Sequence, residues 1–138
     1  NQMKDLSETF LVEEMVTDTV TEVLLGLQNV PQFGLSLTLG VGGIYTELLE
    51  DTSVLLFPVS EDLIMDSLEP LKLFKIIQGW RGKPKGDLGA LVKAVLDFAR
   101  FAEHHHHKLV QAEINPLAIL PEGKGVKILD ALIEIKEN

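Results

Sequence analysis

The amino-acid sequence predicts an α+β domain, a mainly antiparallel sheet packed by about three helices. Apolar runs rich in β-branched residues fill positions 9–59 and 109–135, whereas helical periodicity is confined to the stretch between them. The last two runs flank a five-residue loop that contains glycine, which is typical of a β-hairpin. With 138 residues, 46% of them hydrophobic, the chain suits one domain with a substantial core.

Five apolar runs in the first half of the chain predict strands. The first two flank the polar segment Thr17 to Thr19 and predict a hairpin. The third alternates apolar and polar residues after a break from Asn29 to Gly34. The predicted strands are Thr9 to Val16, Thr21 to Gln28, Leu35 to Leu39, Ile44 to Leu49 and Ser53 to Val59.

The middle of the chain predicts three helices. Ser60 is a favourable N-cap, two acidic residues after it suit the positive end of a helix, and Pro70 ends or restarts that helix. A second helix is followed by Gly79 and carries the apolar stripe Leu71, Phe74 and Ile77. Asp87 caps a longer helix, whose stripe is Leu88, Leu91, Val92, Val95, Ala99 and Ala102.

The charge balance and the lack of cysteine exclude several classes of function. Twelve basic against twenty-one acidic residues give a formal net charge of −9, which argues against binding to nucleic acid or to an anionic membrane. Without cysteine there is no disulfide framework, thiolate nucleophile or Cys-ligated metal. The apolar stretches are too short for a membrane span and no signal peptide is recognised, so the sequence predicts a cytoplasmic protein. Its partners should be proteins or locally bound anions.

The last predicted hairpin carries the clearest candidate site. Alternation along its first strand places Gln111, Glu113 and Asn115 on one face. Asp130 stands among apolar residues of its second strand, where an unpaired carboxylate is costly unless it is compensated. Glu113, Asn115 and Asp130 supply the oxygen ligands that Mg²⁺ prefers. The alternative is that Asn115 caps a turn and Asp130 accepts backbone hydrogen bonds. The two predicted strands are Leu109 to Leu120 and Val126 to Ile135.

The register of this hairpin decides whether Asn115 and Asp130 share a face of the sheet. A ladder that joins Leu120 to Val126 would place them on opposite faces, and a shift by one residue would reverse this. Pro116 cannot donate to a ladder and tends to lie at bulges. We therefore expect an irregularity beside Pro116 that turns both side chains towards one ion.

Three further segments are candidates for binding. Gly42 and Gly43 lie in a glycine-rich turn, which could present backbone N–H groups to an anion or could simply need glycine for its conformation. Arg81 could bind a phosphate or a carboxylate in bidentate fashion, or it could pair with Asp87. The run 104–107 consists of four histidines at a predicted helix end, where the helix dipole favours imidazole, and only the first and last are spaced for a shared metal.

Six motifs, taken in order, resemble the ATP-grasp domain of the NDP-forming (ADP-forming) acyl-CoA synthetases, relatives of the succinyl-CoA synthetase β subunit. The resemblance covers nearly the whole chain, and the ordered set is specific although each motif is weak. One departure is Asn29-Val30-Pro31, where the family usually has Asp-Pro before Gln-Phe-Gly. The motifs are FLVEEMV at 10–16, PQFG at 31–34, GVGGIYTE at 40–47, GWRG at 79–82, AEINPL at 112–117 and LDA at 129–131.

The resemblance implies a nucleotide site that uses ATP or ADP and Mg²⁺. Asn115 and Asp130 would hold Mg²⁺ on the ATP phosphates, and Glu113 would be the catalytic residue that faces a loop carrying a phosphohistidine on another domain. The implied nucleotide contacts are Glu13, Glu14, Met15 and Val16, which form a hinge strand beside adenine, Glu22 at the ribose or the hinge, and Gly42, Gly43 and Arg81.

The resemblance also implies that residues 1–138 form a single domain, the C-terminal lobe of an ATP-grasp fold excised from a longer protein. The chain starts with Asn1 and is in strand-like sequence by Phe10. Its implied partners are an upstream ATP-grasp lobe and a CoA-binding or ligase domain or subunit. The parent would catalyse acyl-CoA + ADP + phosphate = acid + CoA + ATP, and the isolated chain is expected to be inactive. An alternative is a non-catalytic nucleotide-sensing or interaction domain of a multidomain protein acetyltransferase.

Overall fold

A six-stranded antiparallel sheet forms the framework of the chain in the computed structural model, which describes residues 9–137 apart from the side chains of Tyr45 and Glu47. The α+β prediction is confirmed. The strands are β1 (Thr21–Val30), β2 (Gly34–Val41), β3 (Thr52–Leu56), β4 (Leu109–Ile119), β5 (Val126–Ile128) and β6 (Ala131–Ile135). The helices are α1 (Thr46–Leu49), α2 (Glu61–Leu68), α3 (Lys72–Ile77) and α4 (Leu88–His105), with short 3₁₀ turns at Gly43–Tyr45 and Trp80–Gly82.

The strands lie in the order β3-β2-β1-β4-β5, and β6 also pairs with β4. β5 and β6 are two parts of one edge strand because both keep the same offset to β4, with Leu117 opposite Ile128 and Ile114 opposite Ala131. The predicted continuous strand from Val126 to Ile135 is therefore interrupted, and the interruption falls at residues 129–130.

One face of the sheet packs against α2, α3 and α4 and forms the core. Alternate residues of β1 and β2 point into this core, as the period of two requires. From α4, the predicted apolar stripe is buried except for Leu88, which is partly buried. The largest fully buried side chains are Leu25, Leu27, Leu37, Leu39, Leu55, Ile64, Leu68, Leu73, Ile77, Leu91, Leu109 and Leu117.

The predicted start of α2 and the predicted end of α3 are confirmed. Ser60 Oγ accepts a hydrogen bond from Leu63 N–H at 3.2 Å, and Gly79 adopts φ +92° just after α3. The residue before α3 offers no side-chain cap, and Asp51 caps this helix from a distance. Its Oδ1 accepts from Lys72 N–H at 3.0 Å and its Oδ2 from Leu73 N–H at 2.8 Å. Asp51 is buried, and no local sequence pattern marks this role, because the residues that it caps lie 21 and 22 positions further along the chain.

The predicted first hairpin is wrong. Residues 9–19 form no strand, and the hairpin at this end of the chain joins β1 to β2 through residues 31–33. An apolar run becomes a strand only where a neighbouring edge is free to pair with it, and both edges of β1 are taken, by β2 and by β4. Apolar side chains of residues 10–12 and Met15 are accordingly exposed.

The predicted strand from Ile44 to Leu49 is also wrong, because this segment is helical. Gly43 adopts φ +69°, which ends the extended run of β2, and Thr46 Oγ1 donates to Gly43 O at 2.8 Å at the start of α1. The strand predicted from Ser53 to Val59 exists but ends at Leu56.

Within residues 9–137, no helix combines the length and the apolar character that crossing a membrane requires.

Candidate functional site

The sheet face away from α2, α3 and α4, called the outer face, carries several of the site residues that the sequence predicted. Along β1 the residues pointing to this outer face are half-buried or exposed and include Glu22 and Gly26. Glu113 of β4 lies opposite Gly26 and beside a shallow depression of about 170 Å³. This depression is lined by Leu24, Gly26, Leu27, Gln28, Thr38, Gln111, Ala112, Glu113 and Leu132.

A bulge in β4 shapes the region next to Glu113. Val23 pairs with Leu117 but Leu25 pairs with Ile114, so Leu24 alone faces both Asn115 and Pro116. Two residues against one is the definition of a β-bulge, and Pro116 lacks the N–H that a regular ladder would need. The expected irregularity beside Pro116 is present on the β1 side of β4. It does not supply the register shift towards Asp130, because β4 keeps the same offset to β5 and β6 on both sides of Pro116.

The register places Asn115 opposite Asp130. Ile119 pairs with Val126, which is the one-residue shift that places Asn115 and Asp130 on the same face. Asn115 N–H donates to Asp130 O at 3.1 Å across the interruption between β5 and β6. Opposed residues in an antiparallel pair have Cβ atoms roughly 4.5–5.5 Å apart. The backbone thus brings these two residues together at the outer face.

The side chain of Asn115 is held by the glycine-rich turn. Its Oδ1 accepts a hydrogen bond from Gly43 N–H at 2.9 Å, between residues 72 positions apart in the chain. The alternative, in which Asn115 caps a turn before Pro116, is therefore wrong. One lone pair of Oδ1 is used by Gly43, and the second remains for another partner.

The carboxylates of Glu113 and Asp130 are exposed, and neither forms a hydrogen bond or ion pair within residues 9–137. The expectation that Asp130 stands in an apolar environment is wrong, because the broken edge strand exposes it to solvent. It also accepts none of the backbone hydrogen bonds that the alternative required. Two free carboxylates flanking Asn115 are the oxygen donors that this face offers.

The backbone N–H groups of the turn at 41–43 are all used within the chain. Val41 N–H donates to Asp51 O at 3.0 Å, Gly42 N–H to Glu22 O at 2.9 Å, and Gly43 N–H to Asn115. A Cβ on Gly42 would lie 2.5 Å from the Val23 carbonyl carbon, and one on Gly43 would overlap Oε2 of Glu22. The turn therefore needs glycine for close packing, and in this conformation it offers no free N–H to an anion.

Arg81 is exposed and adopts a left-handed conformation (φ 50°, ψ 46°) that is uncommon outside glycine. Its guanidinium carbon lies 5.6 Å from the centre of the Trp80 ring, within the range of a cation–π contact. The suggested pairing with Asp87 is wrong, because the Asp87 carboxylate accepts backbone hydrogen bonds instead. These come from Ala90, Gly123 and Gly125 at 2.9–3.0 Å.

The segment implied to be a hinge strand runs beside β5 without forming a strand. Glu14 forms an ion pair with Lys127, the central residue of β5. A depression of about 330 Å³ lies there, lined by Glu13, Glu14, Val16, Lys127, Ile128 and Leu129. Met15 points away from the sheet, and its side chain is 84% exposed.

The four histidines at 104–107 lie at the end of α4, as predicted, and are exposed. Across residues 9–137 no group of three or more His, Cys, Asp or Glu side chains could hold a metal ion. A metal at this face would therefore need Asn115 or a non-protein ligand.

Curated relatives are ADP-forming CoA ligases. The acetate–CoA ligase (ADP-forming) of Methanocaldococcus jannaschii is 31% identical over 126 residues, which are 91% of this chain and 18% of that protein. Subunit beta of acetate–CoA ligase (ADP-forming) II of Pyrococcus furiosus is 29% identical over 115 residues, which are 83% of this chain and 49% of the subunit. The chain thus spans about half, or less, of the length of the curated relatives it matches.

Solved structures share the fold. A protein of Pyrococcus horikoshii aligns with a TM-score of 0.82 and 27% identity, over 90% of this chain and 52% of that one. An acetyl-coenzyme A synthetase of Ca. Korarchaeum cryptofilum, in complex with coenzyme A and Mg-AMPPCP, aligns with a TM-score of 0.76 and 29% identity, over 84% of this chain and 53% of that one. In that protein a phosphohistidine segment points towards the nucleotide binding site.

These relatives confirm the resemblance identified from the six motifs, and the antiparallel sheet with its helices matches a C-terminal ATP-grasp lobe. A sequence profile described as an ATP-grasp domain matches residues 1–135. The chain belongs to the ATP-grasp domain family.

Proposed function

We propose that the chain is the nucleotide- and Mg²⁺-binding lobe of an ADP-forming acyl-CoA synthetase, which converts acyl-CoA, ADP and phosphate into acid, CoA and ATP. The observation that carries this proposal is the convergence of Glu113, Asn115 and Asp130 beside the bulge of β4, on the sheet face away from α2, α3 and α4. The similarity to ADP-forming CoA ligases over 91% of the chain supports the class of reaction.

Asn115 and Asp130 would hold Mg²⁺, and their chemistry fits this ion. Asn115 Oδ1 keeps one lone pair, and the Asp130 carboxylate has no partner within residues 9–137. Mg²⁺ is commonly held by one or two protein oxygens together with substrate phosphates and water, so two ligands suffice. When bound, the ion would neutralise charge on the transferred phosphoryl group.

Glu113 would act on a phosphohistidine supplied by another domain or subunit. Its carboxylate is exposed and free of protein partners within residues 9–137, so an approaching loop can reach it. A carboxylate in this position can accept a hydrogen bond from the imidazole and orient the ring. The histidines at 104–107 are not candidates for this role, because they lie at the end of α4 on another part of the molecule.

The nucleotide would lie across the outer face, between this lobe and an upstream one. Glu13 to Val16 would contact adenine through their backbone, Glu22 the ribose and Arg81 a phosphate. Gly42 and Gly43 would not contact the nucleotide through their N–H groups, because these are already used within the chain. A ligase of this kind would act in the cytoplasm, in a protein whose CoA-binding part lies outside these residues.

The experiment that tests this proposal is an NMR titration of the ¹⁵N-labelled chain with Mg·ADP at millimolar concentrations. We expect amide shifts at Gly43, Asn115 and Asp130 that saturate weakly and disappear in the Asp130→Ala variant. The Asp130 carboxylate has no protein partner within residues 9–137, so its removal should not disturb the fold.

The matched control is Asp66→Ala, which removes an exposed carboxylate from α2 with the same change of charge. It should leave the titration unchanged. Shifts confined to other surfaces, or shifts that survive Asp130→Ala, would contradict the proposed site.

A further inference from the structure

We propose that the turn Gly42–Gly43 is a positioning element that fixes the amide of Asn115 with its oxygen available for a metal ion. This inference rests on the proposed function, because it assigns to the turn a role in the metal site. The turn would then not bind an anion through its N–H groups, as its glycine pattern suggested. It would act through Asn115.

The hydrogen bond from Gly43 N–H to Asn115 fixes which way the Asn115 amide is turned. An asparagine amide can rotate by 180°, which exchanges its oxygen for its NH₂ group, and only the oxygen can bind a cation. Gly43 N–H is a donor, so it can pair only with the oxygen of the Asn115 amide, which accepts its hydrogen bond at 2.9 Å. The flipped amide would place two donors against each other. The turn therefore selects the orientation in which a lone pair of Oδ1 remains for a metal.

The turn can do this because it is fixed to β1. Gly42 N–H donates to Glu22 O at 2.9 Å, and Gly42 is packed so closely that a Cβ would lie 2.5–2.8 Å from backbone atoms of Val23 and Leu24. Backbone atoms in the middle of a sheet cannot move aside as a flexible side chain can. The position of Gly43 N–H is thus set by the sheet.

The same part of β1 faces the bulge that carries Asn115. Leu24 opposes both Asn115 and Pro116. The backbone of Asn115 is meanwhile tied to Asp130 on the other side by the hydrogen bond of 3.1 Å. One asparagine is therefore held through its side chain by the turn and through its backbone by the strand that carries the second proposed ligand.

The hydrogen bond can be observed directly in the unsubstituted chain. We expect a scalar coupling through the hydrogen bond between the amide nitrogen of Gly43 and the side-chain carbonyl carbon of Asn115, together with slow exchange of the Gly43 N–H. Fast exchange and no coupling would overturn the inference without any variant.

The variant that displaces the turn is Gly42→Ala, and its control is Gly89→Ala in the first turn of α4, outside the proposed site. At Gly89 the nearest atom to a new Cβ is 3.8 Å away, an ordinary contact. With Mn²⁺ as the probe, we expect Gly42→Ala to weaken binding about tenfold, as loss of a group supporting a metal ligand typically does. Gly89→Ala should leave the Mn²⁺ affinity unchanged.

Repeating Gly42→Ala in a chain that also carries Asn115→Asp separates positioning of the side chain from a general loss of structure. In Asn115→Asp both terminal atoms of the side chain are oxygens, so either one can face the metal and no orientation has to be selected. The effect of Gly42→Ala on Mn²⁺ affinity should shrink in this background. An undiminished effect would overturn the inference, since the turn would then support the fold and not the amide.

Failure of the proposed function would look different. If Asn115→Ala and Asp130→Ala leave Mn²⁺ binding unchanged, the metal site itself is wrong. If they abolish binding while Gly42→Ala does not weaken it, although Gly43 N–H exchanges freely, the metal site stands and the positioning role is overturned.

Discussion

Four acidic side chains differ in whether they stabilise the fold or remain free to bind a ligand. Asp51 and Asp87 each accept two or more backbone hydrogen bonds and hold a helix start in place. The carboxylates of Glu113 and Asp130 accept none within residues 9–137 and face solvent. A carboxylate that already accepts several N–H groups has little capacity left for a ligand. The free pair is therefore the one available to a substrate or metal.

Asp87 should make stability depend on acid pH. The Ala90 N–H, followed by those of Gly125 and Gly123, holds the pKa of the Asp87 carboxyl below its ordinary value of 3.8. A lowered pKa stabilises the folded state above the unfolded pKa, and this contribution is lost as the pH falls through the folded pKa. Asp87→Ala should cost about 1 kcal/mol at neutral pH, the usual cost of losing an N-cap.

Urea unfolding from neutral pH to below 3.8 would measure the Asp87 effect. The difference in the free energy of unfolding between the wild type and Asp87→Ala should narrow as the pH falls. Asp66→Asn, on an exposed residue of α2, serves as the control and should show no such narrowing. A difference that stays constant with pH would contradict the role of the ionised carboxylate.

Asn29 gives a prediction that bears on the departure from the family sequence. Its Nδ2 donates to His106 O at 2.5 Å and to Leu109 O at 3.1 Å, which ties β1 to the junction of α4 and β4. An aspartate cannot donate and would face both carbonyl groups with negative charge. Asn29→Asp should therefore lower the free energy of unfolding by about 1–3 kcal/mol. The neighbouring exposed Gln28→Glu makes the same change of charge and should have little effect in the same urea titration.

At the scale of elements, α4 stabilises the fold and the broken edge strand supplies the proposed chemistry. Leu91 of α4 is fully buried, and Leu91→Ala should cost about 2–5 kcal/mol through the cavity it leaves. Asp130→Ala should cost almost nothing, and Asn115→Ala about 1 kcal/mol for its bond to Gly43. Thermal unfolding and Mg·ADP titration of the three variants would show whether stability and binding separate in this way. Equal losses of both in all three would favour a purely structural hairpin.

The helices could be predicted from the sequence because their signals are local. Ser60 and Asp87 mark the starts of α2 and α4 within a few residues of the hydrogen bonds they form. The strands were harder to predict, because an apolar run in the sequence does not show which strand it would pair with. The segment 9–16 has the composition of a strand but no free edge of β1 to join, and 44–49 turns helical after Gly43.

The candidate site could be predicted in part, because some of its signals are also local. Alternation placed Glu113 and Asn115 on one face, and the inability of Pro116 to donate pointed to the bulge that the structure contains. The bond from Gly43 to Asn115 joins residues 72 positions apart, and the ion pair of Glu14 with Lys127 joins residues 113 apart. No local pattern encodes such a pairing, so only the fold could reveal them.

At the scale of the whole molecule, α2, α3 and α4 pack against one face of the sheet formed by residues 9–137. The helices bury the inner face, whereas the outer face carries exposed apolar side chains such as Val54 and Leu56 of β3 and Leu132 of β6 beside the polar site. Exposed apolar groups around a polar centre are typical of a surface that closes against another element. The residues matched to this chain make up 52% and 53% of the two structural relatives, so about half of each relative lies outside the match.

The isolated chain should therefore bind nucleotide poorly and catalyse nothing. A ligand site usually buries 70–90% or more of its ligand, and one open face loses most of that contact, so the dissociation constant for Mg·ATP should be weaker than about 1 mM. The phosphohistidine and the opposing wall are implied to lie elsewhere, so acyl-CoA-dependent ATP synthesis by the pure chain should not exceed a control without protein. Calorimetry with Mg·ATP and this assay test the two statements separately. Micromolar binding would show that the outer face is a complete pocket, and turnover would show that residues 1–138 contain the whole relay, because neither result can arise from half of a cleft.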